Sequence, residues 1–285
     1  MTHILLHALE HAFLDAVKLF PFLFVTYFIM EVIEHTAGDK VTKIISRSGK
    51  VGPLAGAVLG AVPQCSFSAM ASGLFSGRVI TLGTLFAVFL STSDEMLPVM
   101  ISSRVSLSVL LTVLITKVLI GMVVGFAVDI VFRKKEEVKI GNICEEEGCH
   151  CEDGVFLSAL RHSLGVFVFI LAVGFVLEAL IGFVGEDVLS GVMSGIPVLS
   201  NIISATVGLI PNCAASVIIT ELYLEGVISA GAMMSGLLTG AGVGTLVLFR
   251  TNRNYRENIL IVLTLWGVGT AFGLLLDLVG FGALL

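Results

Sequence analysis

The sequence predicts an all-α polytopic membrane protein made of two inverted-topology repeats of about five membrane segments each, with Pro-broken or re-entrant helices. Three observations predict it. The chain is 56% hydrophobic and only 13% charged over 285 residues, whereas a soluble domain carries about 25% charged residues. Charge is absent from Val51 to Gly77, from Val188 to Thr220 and from Val227 to Phe249, and runs of this kind can enter or cross a bilayer core that needs roughly 20 apolar residues per helix. A shift of 148 residues also lays the chain on itself, with fifteen identities in the seventy-three pairs from Ala57 to Asp129.

That register is specific. It places Pro63 on Pro211, Cys65 on Cys213, Ser68 on Ser216, Gly83 on Gly231, Gly121 on Gly269, Gly125 on Gly273 and Asp129 on Asp277. Basic residues orient the halves, since Lys and Arg gather in cytoplasmic loops. Lys40, Lys43, Arg47 and Lys50 follow the first helix, but the equivalent loop around Glu186 and Asp187 has no basic residue. Arg250, Arg253 and Arg256 crowd a loop whose first-half counterpart holds only Arg104. Opposite bias in equivalent loops is what inverted repeats with an odd number of crossings produce.

The elements follow in order. Residues 1–132 form the first repeat, 133–156 a cytoplasmic linker and 157–285 the second repeat. Each half begins with a helix (about 11–35; 157–184). A Pro-interrupted pair of short segments follows, centred on Pro63 or Pro211, each segment about half a membrane thick at 1.5 Å per residue. The pair forms either one broken helix or a re-entrant hairpin. A third stretch (79–101; 227–249) and a last helix (105–132; 257–284) complete the half. Met1–Glu10 lacks the basic cluster and cleavage site of a signal peptide, so the first helix is expected to stay. Five cysteines, an odd number, do not suggest a disulfide framework. There is no Walker loop for ATP and no nucleic-acid-binding motif.

Candidate chemistry sits first at Pro63-Gln64-Cys65-Ser66-Phe67-Ser68 and its twin Pro211-Asn212-Cys213-Ala214-Ala215-Ser216. Proline removes a backbone donor and breaks the helix. Irregular backbone at membrane depth is tolerated where it lines a cavity or is buried in protein, and paired breaks in the two halves point to a transporter's binding site. The plainer alternative is two proline kinks packed by small residues. Ser91-Thr92-Ser93-Asp94-Glu95 places two carboxylates in an apolar stretch, where they are costly and mark function. The alternative there is an aqueous helix end near Pro98. The second half has Thr239-Gly240-Ala241-Gly242-Val243 instead, so the two halves differ in chemistry.

Glu31 and Glu178 fall at similar depth and are candidates for proton coupling. Lys117 lies mid-helix and is expected to pair with a carboxylate. Asp129 and Asp277, near helix ends, are expected to serve at the interface, and His11 and His162 to cap or pack. The linker carries Cys144-Glu-Glu-Glu-Gly-Cys149-His150-Cys151-Glu-Asp. Three thiols, an imidazole and five acids in ten residues suit a soft or borderline metal such as Zn²⁺ or Cu⁺, against the duller reading of a solvated acidic loop with incidental cysteines.

The run Gly60-Ala61-Val62-Pro63-Gln64-Cys65-Ser66, its Pro-Asn-Cys twin, the Ser-Thr-Ser-Asp-Glu segment and the Cys/His linker resemble the ten-helix heavy-metal exporter family. That family is related to the arsenic permeases and also carries the labels arsenic efflux protein and manganese transporter. The resemblance spans nearly the whole chain and implies a prokaryotic inner-membrane efflux protein. The arsenic permeases carry a further Cys-Gly after the Cys-Ser; Phe67-Ser68 stand there in this chain, which speaks against trivalent arsenic held by clustered cysteines. The expected function is secondary export of a metal or metalloid ion. Export of a small organic solute is the alternative, and a membrane sensor or enzyme is a remoter one. The partners are the bilayer and the ion, with a homo-oligomer left open and no resident cofactor required.

Overall fold

A computed structural model describes residues 51–62, 66–93, 96–132, 155–184 and 197–283, together with scattered helical positions between 9 and 28. All regular structure among these residues is helical. The first half contains α1 (Gly52–Gly60), α2 (Ser66–Ser76), α3 (Leu82–Ser91), α4 (Met96–Ser102) and α5 (Leu107–Val131). After the linker come α6 (Val155–Val184), α7 (Pro197–Gly208), α8 (Cys213–Leu224), α9 (Ala230–Thr239), α10 (Val243–Thr251) and α11 (Tyr255–Leu278). The stretches 82–102, 107–131, 230–251 and 255–278 are each long and apolar enough to cross a membrane.

Local signals set the helix starts. Thr81, Ser106, Ser229 and Asn254 each accept a hydrogen bond from the backbone N–H three residues on, which satisfies one of the donors a helix leaves free at its start. Burial then sorts the helices. Every residue of α9, and every residue of α3 from Gly83, is buried. By contrast α5 presents Leu111, Ile115, Leu119 and Val123 to the outside, each 43–57% exposed. Its opposite face buries Val113, Lys117, Gly121 and Val124. An apolar stripe left outside a bundle whose interior holds Lys117 and several buried hydroxyls is the arrangement of a helix facing lipid, and the chain is a multi-span membrane protein.

The 148-residue register relates contacts as well as residues. α1 runs parallel to α3: the Cβ position of Gly52 faces Thr84, that of Gly56 faces Val88, and that of Gly60 faces Ser91. α7 runs parallel to α9 in the same way, through Asn201 with Ser235 and Ala205 with Thr239. α5 and α11 run antiparallel to α3 and α9. Gly83 abuts the Gly125 carbonyl, and Gly231 abuts the Gly273 carbonyl. α2, which packs on α3, also reaches the other half: it lies parallel to α10, with Ser72 Oγ donating to Gly244 O (2.7 Å) and Ser76 Oγ against Thr251 Oγ1 (2.6 Å). α8 packs on α4 reciprocally. Ala16 and Tyr27 of the first segment pack with Ala159, Val166 and Ile170 of α6 and with Val243 and Val247 of α10.

Asp129 and Asp277 do more than the interfacial role expected of them. Asp129 accepts from Gly83 N–H (2.8 Å) and Thr81 Oγ1 (2.8 Å). Asp277 accepts from Gly231 N–H, Ser229 Oγ and Asn201 Nδ2, all at 2.8 Å. Each carboxylate thus fixes the positive end of its half's buried helix, where an anion is favoured. A hydrogen bond to a charged group contributes about 1.5–3 kcal/mol. We therefore expect Asp277→Ala, which removes three such bonds, to destabilise more than Asp129→Ala, which removes two. Thermal unfolding of the purified variants in detergent checks this, and the reverse order contradicts it.

Candidate functional site

The two stretches that look like single crossings, 82–102 and 230–251, are both interrupted midway. α3 stops at Ser91, and Thr92 follows with ψ 126, its N–H still bound to Phe89 O and Val88 O. α9 stops at Thr239, and Gly240 has ψ 80. Gly242 then takes φ +52, a left-handed conformation that favours glycine, before α10 begins. The breaks take backbone groups out of the helix ladder in both halves at matched positions.

The broken ends are deeply buried. Ser91, Thr92, Ser93 and Thr239 are at most 2% exposed. Ser91 Oγ donates to Ala87 O (2.7 Å), Thr92 Oγ1 to Val88 O (2.7 Å) and Ser93 Oγ to Ser91 O (3.1 Å). Thr239 Oγ1 donates to Ala205 O at 2.9 Å, tying the end of α9 to α7. Each hydroxyl proton is spent on a helix carbonyl, which leaves the oxygens as acceptors. α3 ends at Ser91, with Ser91–Ser93 inside the protein, while Asp94 and Glu95, for which an aqueous helix end was the alternative, lie outside the described residues.

Among the described residues, Lys117 brings a charge to this centre. It is fully buried on α5, and its Nζ donates to Thr92 O and to Leu237 O (2.9 Å). It therefore joins the end of α3 in one half to the end of α9 in the other. These two carbonyls are not its whole set of partners, and Asp94 and Glu95, the carboxylates that follow Ser93, lie outside the described residues.

The remaining sequence-predicted residues divide between described and undescribed parts of the chain. Ser68 is fully buried on α2, against Gly244 of α10. Asn212 caps α8, its Oδ1 accepting from Ala214 N–H at 3.2 Å, with Pro211 half-buried before it. Ser216 is half-buried on α8, and its carbonyl accepts from Thr220 Oγ1. Ser66 and Cys213 are the first residues of α2 and α8, and Glu178 lies on α6. The side chains of those three, and Glu31, Pro63, Gln64, Cys65, Asp94, Glu95, Cys144, Cys149, His150 and Cys151, lie outside the described residues. Among the described residues no group of three His, Cys, Asp or Glu could hold a metal ion.

Sequence reasoning missed the buried network behind α9. Asn201 donates to Asp277 and accepts from Ser235 Oγ at 2.7 Å. The signal was faint: a lone Asn in an apolar run, whose first-half counterpart is Pro53. It also missed a cross-half contact at one end of the bundle. There the Arg78 guanidinium meets both Glu257 carboxylate oxygens at 3.1 and 3.2 Å, and Asn252 Nδ2 adds a third bond to Glu257.

A family model described as "Putative, 10TM heavy-metal exporter" matches residues 1–194, more than half of the chain. It covers the first half, the linker, and all of α6. Neither the curated proteins nor the solved structures contain a match.

Proposed function

The chain belongs to this 10TM heavy-metal exporter family, and from that premise we propose that it is a secondary exporter of a metal or metalloid ion across the inner membrane. The observation that carries the reading is the pair of crossings broken at matched positions, Ser91–Ser93 and Thr239–Gly242, with buried polar groups at both breaks. Discontinuous helices of this kind provide transporters with carbonyl-rich ion sites near the midplane.

The cargo path runs between these ends and the two proline elements. Gln64, Cys65 and Ser66, with Asn212 and Cys213, contribute amides, thiols and exposed backbone. Asp94 and Glu95 contribute carboxylates, and Ser68, Ser91, Thr92, Ser216 and Thr239 contribute hydroxyl oxygens. A soft ion leans on the thiols and a hard one on the carboxylates. Glu31 and Glu178 are the candidate acids for proton relay. Cys144, Cys149, His150 and Cys151 collect metal on the cytoplasmic side. Deletion of residues 141–152 is then expected to weaken metal binding while leaving residual efflux.

The contact directions support opposed halves. α2 and α10 share a direction, and the five-residue link from α2 to α3 makes α2 and α3 the two sides of a tight turn. With α3–α4 and α9–α10 each taken as one crossing, the two then traverse the membrane in opposite senses. The proline elements are re-entrant hairpins in this arrangement.

The test is flux. Purified protein in liposomes is loaded with Zn²⁺, Mn²⁺ or arsenite, and release is followed for each. Release of at least one of the three above protein-free liposomes is the expected result. Absence of all three, with the protein inserted and folded, rejects metal or metalloid export and leaves an organic solute as the cargo.

A further inference from the structure

We propose that Arg78 and Glu257 form a latch that closes the cytoplasmic end of the transport path, and that the two halves part at this contact when cargo enters. The inference rests on the transport reading and adds to it the contact that decides which side is shut.

Three observations converge on it. First, the contact joins the halves at one end of the bundle. Arg78 follows α2, and Glu257 lies in the first turn of α11. The guanidinium meets both carboxylate oxygens, at 3.1 and 3.2 Å, a two-pronged geometry that fixes direction as well as charge. Both side chains are held in place. Arg78 lies over the Phe75 ring at 5.3 Å. Asn252 Nδ2 donates to Glu257 Oε2 at 2.9 Å, and the Glu257 N–H donates to Asn254 Oδ1. Arg78 and Glu257 also make further interactions.

Second, the backbone at Arg78 is costly for an arginine. Its φ is +56, a left-handed conformation that a Cβ disfavours. The 148-residue register pairs it with Gly226, whose φ is +75. The turn therefore suits glycine, and the other half uses one. A strained residue where glycine would serve points to a task for its side chain. The same register pairs Glu257 with Val109, so the equivalent positions at the opposite end hold no ion pair. There α8 packs on α4, and Ile218 and Leu222 share a buried apolar cluster with Met96 and Met100.

Third, the contact can open. The Arg78 and Glu257 side chains are 31% and 22% exposed, so water reaches them and their separation strands no fully buried charge. Each hydroxyl of the adjoining seam between α2 and α10 also has an acceptor in its own helix. Ser72 Oγ has Ser68 O (2.9 Å), Ser76 Oγ has Ser72 O (2.8 Å) and Thr251 Oγ1 has Val247 O (2.8 Å). Parting the halves leaves none of these donors without a partner.

Alternating access moves one part of a transporter against the other around a fixed site. Arg250, Arg253 and Arg256 mark the latched end as the cytoplasmic one. With the pair joined, the path is shut to the cytoplasm; with the pair parted, it opens between α2 and α10.

The experiment places one cysteine, by Ser72→Cys or by Thr220→Cys, in a full-length chain otherwise without cysteine. Both positions are fully buried, and the register matches them. Inside-out vesicles present the end nearer position 72 to a membrane-impermeant maleimide, and spheroplasts present the end nearer position 220. Adding Arg78→Gly or Glu257→Gln is expected to speed labelling of Ser72→Cys at least tenfold and to leave that of Thr220→Cys unchanged. Arg78→Gly supplies the residue found at position 226, so it relieves the backbone while removing the latch. Unchanged labelling at position 72 in both variants overturns the inference. A comparable rise at position 220 also overturns it, because the whole fold has then loosened. In liposomes, with the native cysteines present, Arg78→Gly is expected to lower at least tenfold the release of whichever of Zn²⁺, Mn²⁺ and arsenite the wild type releases. Full release in that variant shows that transport does not need this closure and overturns the inference while leaving transport intact. Wild-type liposomes that release none of the three reject the transport reading, and the labelling then still decides whether Arg78 and Glu257 hold this end shut.

Discussion

A leucine at Gly125 or at Gly273 is expected to prevent the buried helices from docking and to leave little folded protein. The Cβ position of Gly125 lies 2.6 Å from Gly83 O and 2.9 Å from Ala87 Cβ. That of Gly273 lies 2.5 Å from Gly231 O and 2.7 Å from Asn201 Oδ1. The nearest obstacles include backbone, which cannot rotate aside. Lipid tails are as apolar as leucine, so helices in a bilayer associate by close packing, and small residues at the seam are what permit it. Overpacking a fitted core costs about 1–3 kcal/mol, and more when the backbone must move. Gly165 and Gly267 sit in helices with nothing near their Cβ positions. Alanine there is expected to be neutral or to stabilise by up to about 1 kcal/mol, from helix propensity. Detergent-extracted yield and thermal midpoint compare the four variants. Equal behaviour at packed and open glycines contradicts the close-packed seam.

Thiol and carboxylate substitutions are expected to separate soft from hard cargo. Cys65→Ser or Cys213→Ser keeps size and hydrogen bonding while removing a soft ligand. Soft-ion flux is expected to fall at least tenfold, which corresponds to only about 1.4 kcal/mol of lost ligation. Hard-ion flux should hardly change in these variants, whereas Asp94→Asn or Glu95→Gln is expected to abolish it. Initial rates with Zn²⁺ and Mn²⁺ in liposomes read both effects. If the thiol and carboxylate variants depress both ions equally, the division of labour fails and only a common structural role remains.

Much of the architecture was legible because membrane helices announce themselves by length and apolarity. The last helices, expected at 105–132 and 257–284, are observed at 107–131 and 255–278. The register that paired Gly83, Gly125 and Asp129 with Gly231, Gly273 and Asp277 became a pair of matching glycine seams and carboxylate anchors. The interruptions were harder to see. Ser91-Thr92-Ser93 and Thr239-Gly240 are compatible with continuous helix, since hydroxyls can bond back to carbonyls of the preceding turn. Nothing local says that the chain leaves the ladder there. The acceptors of Lys117 were invisible for a different reason. Leu237 is 120 residues away, and backbone carbonyls carry no sequence signature. Asn201 likewise acquires meaning only beside Asp277. The Pro63-Gln64-Cys65 motif, Asp94, Glu95 and the linker thiols rest on sequence argument alone.

The proposed opposition of the two halves accounts for the ends of α3 and α9 meeting at Lys117, so sidedness tests the account most directly. Single cysteines are placed by Ile45→Cys, Ser103→Cys, Asp187→Cys and Arg253→Cys in a chain otherwise without cysteine. Spheroplasts bearing each variant are then treated with a membrane-impermeant maleimide. The account predicts labelling at positions 103 and 187, and protection at 45 and 253 until the membrane is opened. Labelling of 45 and 187 from the same side contradicts it.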